Sequence, residues 1–293
     1  MSETSPARAG VVYAFAAIAV WGVIPLLYDV LRPIPPGEVL AHRALWSLAI
    51  VLVLCWIKDR AQLLRVHLVD RKALLLLAAT ALLIASNWLG FIFAVNREQV
   101  LQASLGYFIS PLFTVLLGIV LLRERLTWQQ SAAVALALAG VVNHAVAFGA
   151  WPWIALWLAS SFAIYSYLRK IAQPSSLEGL TIEVLWLAPF AVAYLAFSGG
   201  AGVFGGDNVG LSLALVLAGI TTALPLVWFT AAARRLRLAT IGILQFLSPS
   251  SQFVLAVTYF GEAFATADMV TFGCIWAALA LYAWPRAARV QAA

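Results

Sequence analysis

The 293-residue chain is 64% apolar and only 10% charged, with a mean hydropathy of +0.97. A soluble domain averages about 45–50% apolar and about 25% charged residues, so one aqueous core cannot hide this much apolar surface and lipid must cover the rest. The net charge of +6 raises the question of a nucleic-acid partner, which the positions of the basic residues answer below. About 20 mostly apolar residues make one helical span. In chain order ten stretches qualify: 10–31, 37–57, 73–95, 100–122, 128–147, 152–168, 177–197, 210–233, 238–260 and 266–285. The breaks carry turn formers, such as Pro33-Ile34-Pro35-Pro36, Gly149-Ala150-Trp151-Pro152 and a Gly-rich segment from Ser198 to Gly210. No period-two alternation points to a barrel. The first run starts near Gly10 and is too long for a signal h-region, so it reads as a span. Cys55 and Cys274 lie inside apolar runs without ligand spacing and read as small hydrophobes.

With the N-terminus placed in the cytoplasm, the cytoplasmic segments hold Arg8, Lys58, Arg60, Arg65, Arg71, Lys72, Arg123, Arg125, Arg169, Lys170, Arg234, Arg235, Arg237, Arg286 and Arg289. The opposite side holds only Arg32 and Arg97, and Arg43 falls within a span. That asymmetry is the positive-inside pattern, with both termini cytoplasmic. The basic balance reports topology, and no nucleic-acid partner is expected.

The chain also repeats itself. A shift of 138 positions lays Phe108, Ser110, Pro111, Leu117 and Glu124 on Phe246, Ser248, Pro249, Leu255 and Glu262 without a gap. A shift of 140 lays Glu38, Leu40, Leu45 and Trp46 on Glu178, Leu180, Leu185 and Trp186. The units are 1–150 and 151–293, each with five spans. An odd number of spans makes the second unit enter the membrane from the other side. Inverted repeats of this kind characterise carriers that alternate access around a midplane site.

Five segments carry a family likeness: AVWGVIPLLYD from Ala19, EVLAHRALWS from Glu38, NWLGFIFAVN from Asn87, ASLGYFISPL from Ala103 and RLRLATIGILQFLSPS from Arg235. They resemble the RarD-type members of the EamA family, in the drug/metabolite transporter superfamily. The likeness runs from about Gly10 to Arg286. It implies an all-α membrane protein of two five-helix EamA units and the export of small metabolites. Relatives of the YddG type export aromatic and other amino acids, and the RarD group is loosely associated with chloramphenicol sensitivity. The resemblance brings no residue-by-residue binding motif.

Candidate site residues come from chemistry. Ionisable groups inside a bilayer cost about 2.5–3.5 kcal/mol each on insertion scales, so His42, Arg43 and Glu183 need partners or purposes. In a functional reading Arg43 docks a carboxylate, Glu183 takes an ammonium group or a proton, and His42 couples export to protons. In a packing reading all three anchor helices through backbone carbonyls or snorkel to water. The inverted shift puts Arg43 and Glu183 near opposite faces, so no direct pair between them is expected. Ser104, Tyr107 and Pro111 share one face of the fourth span. Gly242, Gln245 and Pro249 share the matching face of the ninth. Two proline-kinked helices so related can line a cavity and gate it. Asn87, Trp88, Tyr165, Thr222 and Trp228 would complete the lining, with Trp21 and Tyr28 as weaker candidates. The bland reading of the same residues is close helix packing and interfacial aromatic belts. Glu124 reads as structural.

No phosphate-binding G-x-x-x-x-G-K loop, H-E-x-x-H or G-x-S-x-G motif occurs. The sequence therefore reads as a secondary transporter of a bacterial-type inner membrane. It exports amino acids, aromatic or hydrophobic ones among them, and related metabolites, with no cofactor and no metal. The partners are the small-molecule substrate and the lipid bilayer. A broad drug exporter of the same fold is the alternative, and a membrane-embedded enzyme or accessory subunit is a third reading.

Overall fold

The computed structural model describes residues 6–96, 100–148, 153–198, 204–206, 208–259 and 266–283. Among them all regular structure is helical: α1 (Pro6–Val30), α2 (Pro36–Ile57), α3 (Ala61–Val69), α4 (Arg71–Asn96), α5 (Val100–Val120), α6 (Trp128–Phe148), α7 (Trp153–Ile171), α8 (Ser176–Phe197), α9 (Val209–Arg235), α10 (Leu238–Gln245), α11 (Leu247–Thr258) and α12 (Thr266–Ala283). Seven segments in the described residues are long and apolar enough to cross a membrane: Pro6–Val30, Pro36–Ile57, Arg71–Phe91, Trp128–Ala147, Ser176–Phe197, Val209–Arg235 and Leu238–Leu255. Gly106–Val120 and Met269–Tyr282 are shorter apolar stretches. The remaining expected span coincides with α7, which carries Arg169 and Lys170 in its last turn. The chain is thus a multi-pass helical membrane protein.

Two elements differ from expectation. The basic segment after α2 folds into α3, a surface helix with no buried residue. The ninth span is not continuous, because the chain breaks at Phe246 between α10 and α11. Pro249 explains the break: it has no N–H for the Gln245 carbonyl, and its ring crowds that carbonyl. Pro111 frees the Tyr107 carbonyl in the same way, yet α5 stays helical through it.

Between helices in lipid there is little hydrophobic gain, so small residues that allow close approach set the packing. On α7, Ala155, Ala159 and Ala163 are each fully buried. Ala133 and Ala137 on α6 pack with Ile275 and Ala278 on α12. Asn143 adds hydrogen bonds to the Ala267 carbonyl and the Thr271 hydroxyl across the same pair. Large side chains point outward instead, as at Trp56, Leu75, Phe190 and Phe197. Two apolar clefts of about 210 and 240 Å³ lie on the lipid side, one lined by Phe93, Trp153 and Trp157 and the other by Leu74, Leu185 and Trp186.

The helix pairing has an internal regularity. α5 packs on α7 as α1 packs on α10 and α11, and α1 packs on α9 as α7 packs on α4. α2 packs on α9 as α8 packs on α4, while α2–α8, α5–α10 and α6–α12 pair directly. Exchanging α1, α2, α4, α5 and α6 for α7, α8, α9, α10–α11 and α12 leaves this pattern unchanged.

Many basic residues gather at one face, where they cap helix ends. Lys170 donates to the Ala233 and Leu236 carbonyls at the end of α9. Arg234 in turn donates to the Ala172 and Pro174 carbonyls beyond α7. Cations on terminal carbonyls also meet the negative end of each helix dipole. Glu124 does the converse: its carboxylate accepts from the amides of Leu238 and Ala239 at the start of α10. That is a structural role, with Arg237 as its ionic partner at 3.8 Å. Its repeat counterpart Glu262 lies outside the described residues.

Gly242 faces α5 and lines no open space: a Cβ there would sit 2.6 Å from the Pro111 carbonyl oxygen. A Gly242→Val variant should therefore lose about 1–3 kcal/mol of stability from overpacking. Gly273, with nothing within 4 Å of an added Cβ, should accept alanine within about 0.5 kcal/mol. Thermal unfolding in detergent compares the two.

Candidate functional site

Arg43 and Glu183 each sit seven residues into their helices, α2 and α8. At 1.5 Å per residue that is a depth of roughly 10 Å. α2 and α8 start at opposite faces, so the two residues do not meet. Each is tied to helices that correspond under the exchange described above.

Glu183 is completely buried. It lies 3.4 Å from Arg169 of α7, accepts from Thr80 of α4 at 2.6 Å and from Tyr165 of α7 at 3.3 Å. The sequence places Arg169 among the basic residues of the cytoplasmic segments. It is instead fully buried, because α7 runs on to Ile171 and carries it inside. Its Nη2 donates to the carbonyls of Ser175 and Ser176, while Nε and Nη1 have no aligned acceptor. The result is a charge-balanced knot joining α4, α7 and α8 near the basic face.

The corresponding knot around Arg43 joins α1, α2, α4 and α9, and it is not balanced. Arg43 is 7% exposed. Its Nε donates to Thr222 of α9 at 2.6 Å, Nη1 donates to the Tyr28 hydroxyl, and the guanidinium lies 4.3 Å over the Trp88 ring. Among the described residues no carboxylate pairs with it. Thr222 passes its own proton to the Ala218 carbonyl, leaving its oxygen free to accept. An aromatic wall adjoins the cation: Phe91 meets Tyr28 at 5.9 Å and Tyr107 at 5.7 Å. Tyr107 lies within electrostatic reach of both Tyr28 and Arg43.

The structure thus gathers Arg43, Trp88, Thr222 and Tyr107 in one place, and it raises Tyr28 from a weak candidate to a direct partner. Tyr165 belongs to the Glu183 knot. Trp21 packs between Phe162 and Phe229, and Trp228 lies against the same α1–α9 cluster. Asn87 ties α4 to α7 through Leu158 and Ser161. His42 sits under Phe204 at 5.2 Å, away from the Arg43 cluster. Gln245 is buried with its Nε2 unpartnered, and so is the Ser110 hydroxyl. Gln245 adjoins the break before Pro249, and Ser110 precedes Pro111. Ser104 is on α5, but its side chain is outside the described residues. Sequence reading missed Phe91, Phe162, Phe229, Thr80 and Arg169. Phe91 and Phe229 coincide under the shift of 138, but that marks the repeat and not a site; Phe162 carries no signal in an apolar background, and Thr80 reads like any packing threonine. Among the described residues no cluster of three His, Cys, Asp or Glu side chains could hold a metal.

The chain is 42% identical over 282 residues to Protein RarD of Escherichia coli (strain K12), covering 96% of this chain and 95% of that one. The chain belongs to the EamA-like transporter family. A sequence model of that family matches residues 8–143. This EamA-family chain is also 39% identical to the uncharacterized transporter YojE of Bacillus subtilis (strain 168), covering 96% and 97% of the two chains. It is 34% identical to the Chloramphenicol-sensitive protein RarD of Pseudomonas aeruginosa, covering 95% and 94%. These relatives place it in the RarD group of the drug/metabolite transporter superfamily. A solved crystal structure, 19% identical, superposes with a TM-score of 0.72 over 94% of this chain and 96% of that one. At that identity the likeness speaks for the fold.

Neutralising one member of the buried pair leaves the other uncompensated. Glu183→Gln should cost about 3–5 kcal/mol. The double variant Arg169→Met/Glu183→Met should recover most of that loss, because it removes both charges. Melting temperatures of the purified variants in one detergent test both expectations.

Proposed function

We propose that this chain is a secondary transporter of a bacterial inner membrane that exports amino acids with apolar or aromatic side chains, together with related small metabolites. One observation carries the reading: Arg43 is a buried cation with two hydroxyl partners, an indole face and, among the described residues, no carboxylate. Such a charge inside a membrane protein calls for a counterion that comes and goes. An aromatic wall beside a single cation suits a molecule with a carboxylate at one end and an apolar body.

Alternating access follows from treating 1–150 and 151–293 as inverted five-helix units. The symmetric helix pairing and the matching prolines, Pro111 in α5 and Pro249 in α11, support this division. In that scheme the balanced Glu183 knot holds one face shut, and the Arg43 knot waits for cargo below the other. The basic face lies in the cytoplasm by the positive-inside rule, and both termini are on that side. The chain acts as a carrier, not an enzyme, and the gradient that drives it is a separate question from the site. The second reading, export of uncharged aromatic drugs, draws on the relative whose name refers to chloramphenicol. It predicts flux that does not depend on Arg43.

Reconstituted liposomes separate these readings. Radiolabelled phenylalanine or leucine should cross by saturable flux that unlabelled amino acids compete away. Absence of saturable flux would sink the amino-acid assignment. Arg43→Gln should lower flux by at least about tenfold, the weight of one hydrogen bond to a charged group. Tyr107→Ala and Gln245→Ala should impair flux with expression intact. Normal flux in both would make their face a packing surface.

A further inference from the structure

Resting on that reading, we propose that the Arg43 site reads the carboxylate of its cargo and leaves the amino group unread. The substrate class is then small monocarboxylates with an apolar or aromatic body, of which amino acids are one subset.

Two halves of the site support this. The first is what is present. Arg43 spends Nε on Thr222 and Nη1 on Tyr28, no hydrogen bond of Nη2 is seen among the described residues, and the side chain keeps 7% of its surface exposed. A planar guanidinium with an unused edge suits a carboxylate oxygen. Trp88, Phe91 and Tyr107 supply the surface for the body of the molecule.

The second half is what the neighbouring helices do not offer, namely an anion for an ammonium group. Among the described residues, every acid on the helices packed around α2 has a place. On α1, Asp29 pairs with Arg32 at 3.1 Å. On α8, Glu178 is 3.6 Å from Arg60 and Glu183 is held by Arg169, Thr80 and Tyr165, both toward the basic face. The described spans of α4 and α9 contain no acid. Glu38, on α2 itself, is buried with Oε1 unpartnered. It lies five residues before Arg43, a rotation of about 140° at 100° per residue, so the two side chains leave the helix on different sides. One cargo molecule lying against the Trp88 face is therefore not gripped by both. Hydroxyl and carbonyl oxygens near Arg43 can solvate an ammonium without selecting for it.

The test is a matched set of three compounds that share one benzyl body. 3-Phenylpropionate has the carboxylate alone, phenylalanine has both groups, and 2-phenylethylamine has the amine alone. Binding to the purified full-length protein is read by thermal shift and by quenching of tryptophan fluorescence. The acid and the amino acid should bind within about tenfold of each other, and the amine should bind at least about tenfold more weakly than either. Arg43→Gln should abolish the preference for the acid over the amine, and Arg43→Lys should keep part of it. If Arg43→Gln fails to fold, the three-compound series on the unmodified protein decides alone. Equal binding of the amine, phenylalanine binding more than about a hundredfold tighter than the acid, or no binding of any of the three would overturn the proposal. The export reading fails separately: intact acid selectivity without saturable phenylalanine flux would remove amino-acid export and leave carboxylate recognition standing.

Discussion

A guanidinium buried among membrane helices has to be given oxygen atoms, because lipid tails offer it none. Arg43 receives them from one hydroxyl on α1 and one on α9, and it rests on an indole of α4. Three helices are thereby fastened to α2 through one side chain. None of these partners carries a negative charge, so among the described residues the cation is solvated without being neutralised. The arrangement of that region, including the aromatic wall of Phe91 and Tyr107, follows from this constraint.

Glu183 shows the other solution to the same problem. It occupies the corresponding depth on α8 and bonds to the corresponding helices, but its partner Arg169 balances the charge. The two knots therefore use one topology with opposite electrostatic outcomes. A balanced buried pair offsets part of the desolvation of its two charges. An unbalanced knot is stabilised by whatever anion arrives. The two knots sit at positions related by the symmetric helix pairing, and the difference between them is electrostatic.

The two prolines act at a finer scale. Each removes one backbone donor, freeing the carbonyl of Tyr107 in α5 and of Gln245 in α10. In α5 the helix absorbs the loss. In the second copy the chain breaks at Phe246 and restarts as α11. Gly242 lets α10 approach the Pro111 carbonyl of α5 closely. Buried polar groups beside them, the Gln245 amide and the Ser110 hydroxyl, are left without protein partners.

Much of this was legible in the sequence because the bilayer makes the code simple. Apolar runs of helical length, basic residues concentrated between particular runs, and an ungapped Ser-Pro repeat needed no coordinates to be read. The family likeness followed from blocks such as EVLAHRALWS, and Arg43 already stood out as a charge in the wrong solvent. The partners were not legible. Arg169 looked like one more topology marker, since hydropathy cannot tell whether a helix carries its last arginine into the protein or out of it. Tyr28 and Thr222 lie 15 and 179 residues from Arg43, and only the packing of α1 and α9 against α2 brings them to it. The sequence by itself determined the solvent, the helices and the charges that had to be explained. The tertiary structure decided which charge is neutralised and which is left open, because pairing depends on distances between helices that no linear pattern contains.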